Sequence, residues 1–287
     1  MIIAVVGPTC SGKSSLALEI AKHFNAEIIN FDPFQCYWEL NIGVAKPDEE
    51  TLKSWPHHLI NVKHIWESLT IFDFQKMFRE TVDKLISENK NIVLVGGSGL
   101  YLRSSIYDYE FTENKEVDVS RYSEISNEDL YKRLMEIDPE SAMKTHENNR
   151  QRVMRALAIY DETGSTKSEL EQAQEHKLIY DISIIGLNPD REKLYENINI
   201  RVDEMFEAGL EEEVRKIHQF FEKDFTSLKA IGYKEFYQTE PENVRELIKK
   251  NTRHYARRQM TFFKHQFTNI NWFTNAKDAL DFAKSIR

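Results

Sequence analysis

The segment that most constrains this chain is GPTCSGKS, residues 7–14, which follows the apolar run IIAVV. An apolar run that ends at Gly7-Pro8 predicts a buried strand over Ile2–Val6, and SSLALEIAKHF predicts a helix over Ser14–Phe24. The pattern GxxxxGK[ST] between a strand and a helix is typical of a phosphate-binding loop. Backbone N–H groups and the helix N-terminus hold the phosphate oxygens there, the lysine reaches the terminal phosphate, and the hydroxyl ligates Mg²⁺.

The loop motif indicates a polyphosphate ligand without naming the reaction, because nucleoside kinases, shikimate-type kinases and NTPases all carry it. An NTPase motor usually has a later apolar strand that ends in Asp or Asp-Glu. The best later strand here, Ile92–Val95, ends in Gly-Gly-Ser-Gly, which disfavours a motor. The residues assigned to phosphate binding are Gly7, Pro8, Thr9, Cys10, Ser11, Gly12, Lys13 and Ser14, with Ser14 also as the metal ligand.

The pattern of strand, glycine turn and helix repeats after the loop. A second strand is predicted at Glu27–Asn30, with Asp32 just past its carboxyl end, and a helical stretch over residues 72–89 precedes Ile92–Val95. Strand-like sequence returns at Ile182–Gly186 and Asn269–Phe273. This alternation predicts an α/β fold: a parallel sheet core of the phosphate-loop NTPase type, flanked by helices, with its site at the carboxyl ends of the strands.

Residues 111–180 have a different pattern from the rest of the chain. Apolar runs of the strand type disappear, and polar helix-like segments such as Leu130–Ile137 and Arg150–Glu162 replace them. We therefore predict a core over residues 1–110 and 181–287, with a helical insertion domain over residues 111–180.

The composition, with 41% hydrophobic and 30% charged residues, is the ordinary balance of a soluble protein and does not predict disorder. No apolar run is long enough for a membrane helix, and MIIAVV is too short for a signal peptide. Two cysteines, Cys10 and Cys36, cannot form a disulfide framework or an all-cysteine zinc site. We expect a monomeric cytoplasmic protein without a membrane partner.

A net charge of −9 argues against a nucleic-acid partner, but the charge is unevenly distributed. Residues 203–213 are strongly acidic, whereas residues 249–264 hold six Lys or Arg and no acid. Local patches of one sign steer polyanions whatever the average charge. Most of these cations share one stripe of a helix, which predicts a phosphate-tracking face or, alternatively, a solvated surface. The stripe holds Lys249, Lys250, Arg253, Arg257 and Lys264.

Four short motifs follow the phosphate loop: DPFQCY from Asp32, NIGVAKP from Asn41, PHHL from Pro56 and GGSGLY from Gly96. In order and spacing they resemble D-S-x-Q-x-Y, D-I-G-T-A-K-P, P-H-H-L and G-G-T-x-L-Y of the tRNA dimethylallyltransferase (tRNA isopentenylpyrophosphate transferase) family. The match continues at RQRVMRAL (150–157), RVDEM (201–205), AIGY (230–233) and YARRQ (255–259). It covers nearly the whole chain.

The resemblance implies transfer of a dimethylallyl group from dimethylallyl diphosphate to N6 of the adenosine immediately 3′ of the anticodon in certain tRNAs. Diphosphate is released, Mg²⁺ is the cofactor, and nothing is phosphorylated. The phosphate loop then holds the leaving group. The resemblance also implies that the insertion domain and the C-terminal basic helix contact the anticodon stem-loop.

Two cations are expected to neutralise the leaving diphosphate, since an allylic diphosphate ionises readily once that charge is balanced. Lys13 is the first. Arg201 is the second, because its planar fork holds two oxygens at once; the alternative is a surface salt bridge with Glu196 or Glu204.

Two further residues are expected to act on the adenosine. Asp32 is the candidate to take the proton from the adenine amine, the alternatives being a helix cap or a metal ligand. Ser98 stands where the family has threonine, so it keeps a hydroxyl for the diphosphate or an adenosine phosphate.

A base that is modified inside a folded loop must be turned out of its stack, so the resemblance also implies a tRNA surface. Two basic groups are expected there, one on the insertion (Arg150, Arg152, Arg155) and one on the C-terminal helix. The full set assigned to tRNA contact is Asp32, Pro33, Phe34, Gln35, Ser98, Gln151, Arg152, Arg155, Gly232, Tyr233, Lys234, Arg257, Arg258 and Gln259.

Departures from the family pattern lie close to Asp32. Pro33 removes a hydroxyl and a backbone N–H, and it biases Asp32 toward extended backbone. Phe34 or Trp38 either stacks on a base or packs in the core. The remaining departures from the motifs are Asn41 for aspartate and Val44 for threonine.

Two other functions remain open at this point. A phosphate-loop small-molecule kinase predicts ATP-dependent phosphorylation without RNA. An RNA-binding family member with weakened catalysis is favoured slightly by the changes at Pro33 and Phe34.

Overall fold

The computed structural model describes residues 1–109, 118–172, 176–220 and 225–286. One six-stranded sheet organises these residues, in the order β3-β2-β4-β1-β5-β6, and every pairing is parallel. Its strands are β1 (Ile2–Val6), β2 (Ala26–Asn30), β3 (His57–His58), β4 (Asn91–Val95), β5 (Ile182–Leu187) and β6 (Ile270–Phe273). Parallel sheets are covered on both faces, so central strands such as IIAVV are continuously apolar and fully buried.

Helices alternate with the strands along the chain. They are α1 (Lys13–Phe24), α2 (Glu49–Ser54), α3 (Ile71–Ser87), α4 (Gly99–Ile106), α5 (Asn127–Ile137), α6 (Pro139–Met143), α7 (Arg150–Thr163), α8 (Lys167–Gln172), α9 (Arg191–Glu207), α10 (Leu210–Phe220), α11 (Pro241–Gln266) and α12 (Ala276–Ser285). Short 3-10 helices lie at Pro33–Cys36, Ser120–Tyr122, Thr226–Lys229 and Lys234–Tyr237. None of the described helices is long and apolar enough to cross a membrane.

Local sequence explains why the elements begin where they do. A capping box starts α3, because the Thr70 hydroxyl accepts from the Asp73 amide while the Asp73 carboxylate accepts from the Thr70 amide. Buried Leu16 and Ile20 of α1 pack with Ile3 and Val5 of β1 in one core cluster. This packing fixes the segment between β1 and α1 above the sheet edge.

The predicted α/β class and parallel sheet are confirmed, and the predicted strands lie within a residue of their observed bounds. The edge strand β3 was not predicted, because two residues are too few to show a period. At that edge His58 Nε2 lies 2.7 Å from Glu27 Oε2 of β2, which gives His58 a structural role.

The chain divides into two compact units. One contains Met1–Ile106 and Ile179–Arg287, and the other contains Tyr107–Leu178. The first unit holds the sheet. The second is helical and has its own core, built around buried Tyr122, Leu130, Leu134 and Leu157.

Candidate active site

The register of the sheet brings three loops to one edge. Val5 of β1 pairs with Val95 of β4, and Asn30 of β2 pairs with the same residue from the other side. The loops that begin at Gly7, Phe31 and Gly96 therefore leave the sheet side by side. The carboxyl edge of a parallel sheet is where α/β proteins place their ligands.

The first of these loops, Gly7–Ser14, has the backbone of a phosphate loop. Gly7 has φ +144°, and a Cβ there would lie 2.6 Å from the Leu187 carbonyl oxygen, so only glycine fits. Gly12 precedes α1 in the left-handed region, with φ 87°, and no side chain caps the helix. The first amides of α1 thus remain available for an anion.

Lys13 occupies a crowded electrostatic position in the loop. Its Nζ donates to the Pro8 carbonyl at 3.0 Å. Burial lowers the pKa of Lys13 to about 8; interactions with Cys10 and Asp32 oppose that shift, and the positive charge of Arg201 adds to it. The charges of Asp32 and Arg201 therefore both act on Lys13.

Two buried polar atoms near this loop have no hydrogen-bond partner in the described chain: Ser11 Oγ and Arg201 Nε. Arg201, on α9, forms no ion pair with Glu196 or Glu204 there, and Glu196 pairs with Lys193 at 2.8 Å. The alternative of a surface salt bridge for Arg201 is therefore wrong. Leaving a buried donor unpaired is costly, so these atoms indicate a place built for an anionic ligand.

Asp32 is held at the end of β2 by its own neighbours. Its amide donates to Asn30 Oδ1 at 2.9 Å, and Asn30 Nδ2 donates to the Asp32 carbonyl at 2.8 Å. Asp32 Oδ1 caps the 3-10 helix by accepting from the Phe34 amide at 3.1 Å, as one alternative proposed. Among the residues described, Oδ2 has no hydrogen-bond partner and is left for a substrate.

The pKa of Asp32 lies above its usual value because the carboxyl is buried, although the Phe34 amide and the charge of Lys13 oppose that shift. Two phenols lie within range of its charge. Burial raises the pKa of Tyr101 to about 12, with Cys36 and Asp32 adding to the shift. Burial also raises the pKa of Tyr255, again with a contribution from Asp32. Both tyrosines lie in the family motifs, but neither was predicted to lie near Asp32.

The departures near Asp32 fit the backbone found there. Asp32 is extended, with φ −95° and ψ 111°, as Pro33 predicted. Pro33 is the first residue of the 3-10 helix, where an N–H has no helical partner, so its loss costs nothing. Phe34 packs in a core cluster, whereas Trp38 is 53% exposed, so of the two only Trp38 is free to stack on a base. Gln35 donates to the Val44 and Ala45 carbonyls.

The second glycine loop, Gly96–Gly99, places Ser98 between β4 and α4. Its neighbour Gly97 accepts a hydrogen bond from Gln259 Nε2 at 2.8 Å, while Gln259 Oε1 accepts from the Thr9 amide at 2.8 Å. Gln259 is 5% exposed. Its assignment to tRNA contact needs correction, because both ends of its amide already have partners in the protein.

Gly232 and Tyr233 require the same correction. Both are buried, and the Tyr233 hydroxyl donates to Glu213 Oε1 at 2.6 Å and accepts from the Gly43 amide at 3.2 Å. Gly232, with φ +100°, packs against Gly43. These residues shape the loop after Asp32 and present no free side chain to RNA. Neighbouring Lys234 is partly buried.

The basic stripe of α11 is partly consumed by internal contacts. Lys249 is only 12% exposed and pairs with Asp203 at 2.9 Å and Glu246 at 3.1 Å. Arg253 donates to Asn199 Oδ1 at 2.7 Å. Within residues 249–264, the Lys and Arg side chains that remain exposed are Lys250, Arg257, Arg258 and Lys264.

In the helical unit, Arg150 has a structural role. Its guanidinium donates to the carbonyls of Tyr122, Ser123 and Ile125, which ties α7 to the preceding segment. Gln151, Arg152 and Arg155, the other members of this basic group, are all exposed.

These features define a phosphate-loop α/β enzyme core of the NTPase type. The sheet is all-parallel, a glycine loop follows its first strand, and a lysine and a hydroxyl stand at the start of the first helix. The fold predicted from the sequence is confirmed.

Comparison with known proteins identifies the family within that class. The model of the IPP transferase family matches residues 35–266. A tRNA dimethylallyltransferase of Anoxybacillus flavithermus is 40% identical over 97% of this chain and 92% of the relative. The chain belongs to the IPP transferase family, and it is therefore a transferase.

Solved structures agree. The tRNA delta(2)-isopentenylpyrophosphate transferase of Staphylococcus epidermidis has a TM-score of 0.73 and 33% identity, over 99% of this chain and 97% of that one. A eukaryotic dimethylallyltransferase acting on tRNA has a TM-score of 0.82 and 26% identity, over 96% of this chain and 73% of that one. The family resemblance stated from the motifs is confirmed.

Proposed function

We propose that this chain transfers the dimethylallyl group of dimethylallyl diphosphate to N6 of the adenosine immediately 3′ of the anticodon in tRNA, with release of diphosphate. One observation carries the proposal: unpaired buried donors and two cations lie at the same sheet edge as a carboxyl with a raised pKa. The named activities of the relatives support it.

The phosphate loop serves the leaving group in this proposal. The diphosphate oxygens accept hydrogen bonds from four sources: Lys13, the first amides of α1, Ser11 Oγ and the Arg201 guanidinium. As the C1–O bond of the allylic diphosphate breaks, its electron pair leaves with the diphosphate, and donors already fixed in place stabilise that charge without reorganising. The delocalised allylic cation is then open to attack.

Asp32 serves the nucleophile. The N6–C1 bond forms while the amine loses a proton, and the free Oδ2 of Asp32 is the acceptor for that proton. Asn30 fixes the Asp32 backbone on both sides, so it is a positioning residue for this base. A raised pKa makes the carboxylate a stronger base than an exposed aspartate.

A magnesium ion fits this loop only with help from the substrate. No group of three His, Cys, Asp or Glu side chains in the described residues forms a metal site. The exposed Ser14 hydroxyl at the start of α1 is one oxygen ligand, and diphosphate oxygens and water supply the rest, as is usual for Mg²⁺. When bound, the ion adds positive charge on the leaving group.

The RNA surface is proposed from the exposed cations. Phosphates of the anticodon stem-loop are proposed to contact exposed arginines on two helices. These are Arg257 and Arg258 on α11, and Arg152 and Arg155 on α7. Ser98 keeps its proposed contact with substrate. We also expect a monomer that acts in the cytoplasm.

The test incubates the protein with Mg²⁺, dimethylallyl diphosphate and a stem-loop RNA that has adenosine 3′ of the anticodon. The expected result is a mass gain of one prenyl unit on the RNA and release of one diphosphate. A matched stem-loop with inosine at that position lacks the amine and is expected to gain nothing. ATP consumption without RNA labelling would instead establish a kinase, and RNA binding without either reaction would establish a binding protein.

A further inference from the structure

Gln259 joins two loops that are distant in sequence. Its Oε1 accepts from the Thr9 amide in the phosphate loop, and its Nε2 donates to the Gly97 carbonyl in the second glycine loop, each at 2.8 Å. The two ends of one amide thus bridge the loops that follow β1 and β4. A primary amide offers a donor and an acceptor side by side without carrying a charge, which suits it to this bridge.

The bridge withdraws one amide from the phosphate loop. The Thr9 N–H is one of the amides of the phosphate loop, and here Gln259 Oε1 accepts from it. The amides after Thr9 remain for a diphosphate, together with the side chains of Ser11, Lys13 and Arg201.

The Gln259 side chain also acts on Tyr255, which lies near Asp32, the proposed catalytic base. Burial and the charge of Asp32 raise the pKa of Tyr255, and a hydrogen bond from the Gln259 side chain lowers it. Tyr255 stands one helical turn before Gln259 on α11, with Arg258 5.8 Å from the centre of its ring. Gln259 is thus in contact with the phosphate loop, the Ser98 loop and a phenol near Asp32.

The Gln259 amide packs directly against Gly97. A Cβ on Gly97 would lie 2.3 Å from Gln259 Nε2 and 3.9 Å from Lys13 Cε. The absence of a side chain at Gly97 is therefore what permits the amide to pass between the loops.

We propose that Gln259 is a positioning residue that fixes the phosphate loop in register with the Ser98 loop and Asp32, so that the leaving group and the attacking amine align. This inference rests on the proposed function for its catalytic part. Its binding part, the placement of the diphosphate, can be measured without any reaction.

The test compares Gln259→Met with the native chain, because methionine keeps the length and loses both hydrogen bonds. Affinity for inorganic diphosphate with Mg²⁺ is measured by calorimetry, and kcat and KM are measured with dimethylallyl diphosphate and stem-loop RNA. We expect affinity for inorganic diphosphate to fall about tenfold. We expect kcat to fall about 10–100-fold with KM for RNA nearly unchanged, because misplacement acts on alignment. Gln266→Met, an exposed change at the end of the same helix, is the matched control.

Two further variants separate positioning from simple core stability. In Gln259→Glu the acceptor for Thr9 is kept and the donor to Gly97 is restored only when the carboxyl is protonated. The ratio of its kcat to the native kcat is therefore expected to rise as pH falls. Gly97→Ala pushes the amide out of the bridge and is expected to reproduce the defect of Gln259→Met.

The outcomes distinguish the two proposals. If native protein binds diphosphate but prenylates no RNA, the proposed function fails, and weaker diphosphate binding by Gln259→Met still supports the bridge. If Gln259→Met lowers only the melting temperature, with diphosphate affinity and kcat per folded molecule unchanged, the positioning role is overturned. If Gln259→Met does not fold, two other results decide. They are the diphosphate affinity and kcat of Gly97→Ala, and the change with pH in the ratio of the Gln259→Glu kcat to the native kcat.

Discussion

Two lysines in the sheet-bearing unit share one electrostatic signature and differ in every contact. Burial lowers the pKa of both Lys13 and Lys46 to about 8. Lys46 Nζ donates to the Tyr37 carbonyl at 2.6 Å, Asn41 Oδ1 at 3.0 Å and Asn61 Oδ1 at 2.6 Å. Among the residues that the structure describes, Lys13 Nζ has one such acceptor, the Pro8 carbonyl of its own loop.

This difference shows how to interpret a side chain whose pKa is shifted. An ammonium that donates to three fixed oxygens is already satisfied, so Lys46 holds the segment after Asp32 in shape. An ammonium with one acceptor, beside the unpaired atoms of Ser11 and Arg201, has donors to spare for a ligand. A shifted pKa marks both structural and functional groups, and the hydrogen-bond partners separate them.

The largest expected effect is on Lys13. Lys13→Met removes the mobile positive charge that meets the diphosphate, so kcat/KM is expected to fall by about 10²–10³-fold or more. The melting temperature should change little, because the side chain forms one local hydrogen bond. Initial rates with a saturating RNA and a thermal melt measure the two quantities. A large loss of stability with rates preserved would contradict the division between the two lysines.

Asp32→Asn tests the other half of the ligand-directed site. The amide keeps the volume and still accepts from the Phe34 amide, but it cannot take a proton, so kcat is expected to fall about 10²–10³-fold. RNA binding should remain, since the change removes one negative charge and no cation. Single-turnover rates and a filter-binding titration measure these. A near-native rate would show that another group is the base.

The pH dependence follows from the opposite shifts of these two groups. Asp32 must be ionised and its pKa is raised, so kcat/KM should rise with pH through that value. Lys13 must be protonated and its pKa is about 8, so kcat/KM should fall again above about pH 8. In Lys13→Arg the guanidinium keeps its charge, and the alkaline fall is expected to move upward. An unmoved alkaline limb would assign it to some group other than Lys13.

Local signals account for what the sequence could predict. The strands, the phosphate loop and the position of Asp32 follow from apolar runs and short motifs, whose meaning is contained in a few neighbouring residues. The bridge between Thr9 and Gln259 spans 250 residues of sequence, and no local pattern can specify such a partner. Family motifs placed Gln259 in the site, but its part in the bridge depends on the tertiary fold.

The same limit explains the errors in the RNA surface. Helical projection placed Lys249 and Arg253 on one stripe with Arg257, which is correct geometry for an isolated helix. Glu246, one acceptor of Lys249, lies on the same helix. Asp203 and Asn199, which accept from Lys249 and Arg253, come from α9, so only packing reveals those contacts. The spacing of charged residues predicts which of them share a helix face. It does not predict which face remains exposed to solvent once the helix is packed.

Lys46→Met tests whether Lys46 contributes to stability rather than to catalysis. Three oxygens lose their donor at once, among them a main-chain carbonyl, so the free energy of unfolding is expected to fall by about 1–3 kcal/mol. The rate per folded molecule should change only a few-fold. Urea denaturation and active-site-normalised rates measure the two effects. If the rate falls as far as in Lys13→Met while stability is kept, then Lys46 acts on substrate and the contrast fails.

The smallest expected effect extends the comparison to α11, where paired and unpaired cations share one helix. Arg257 and Arg258 are exposed, so replacing both with Gln should weaken stem-loop binding several-fold and make its salt dependence less steep by about 1.4–1.8 in log–log slope. Replacing exposed Lys277 and Lys284 of α12 with Gln removes the same charge elsewhere and should leave that slope unchanged. Equal effects from both pairs would mean that RNA senses only net charge. An unchanged slope in the arginine pair would place the RNA on another surface, because counterions are released only where phosphates are neutralised.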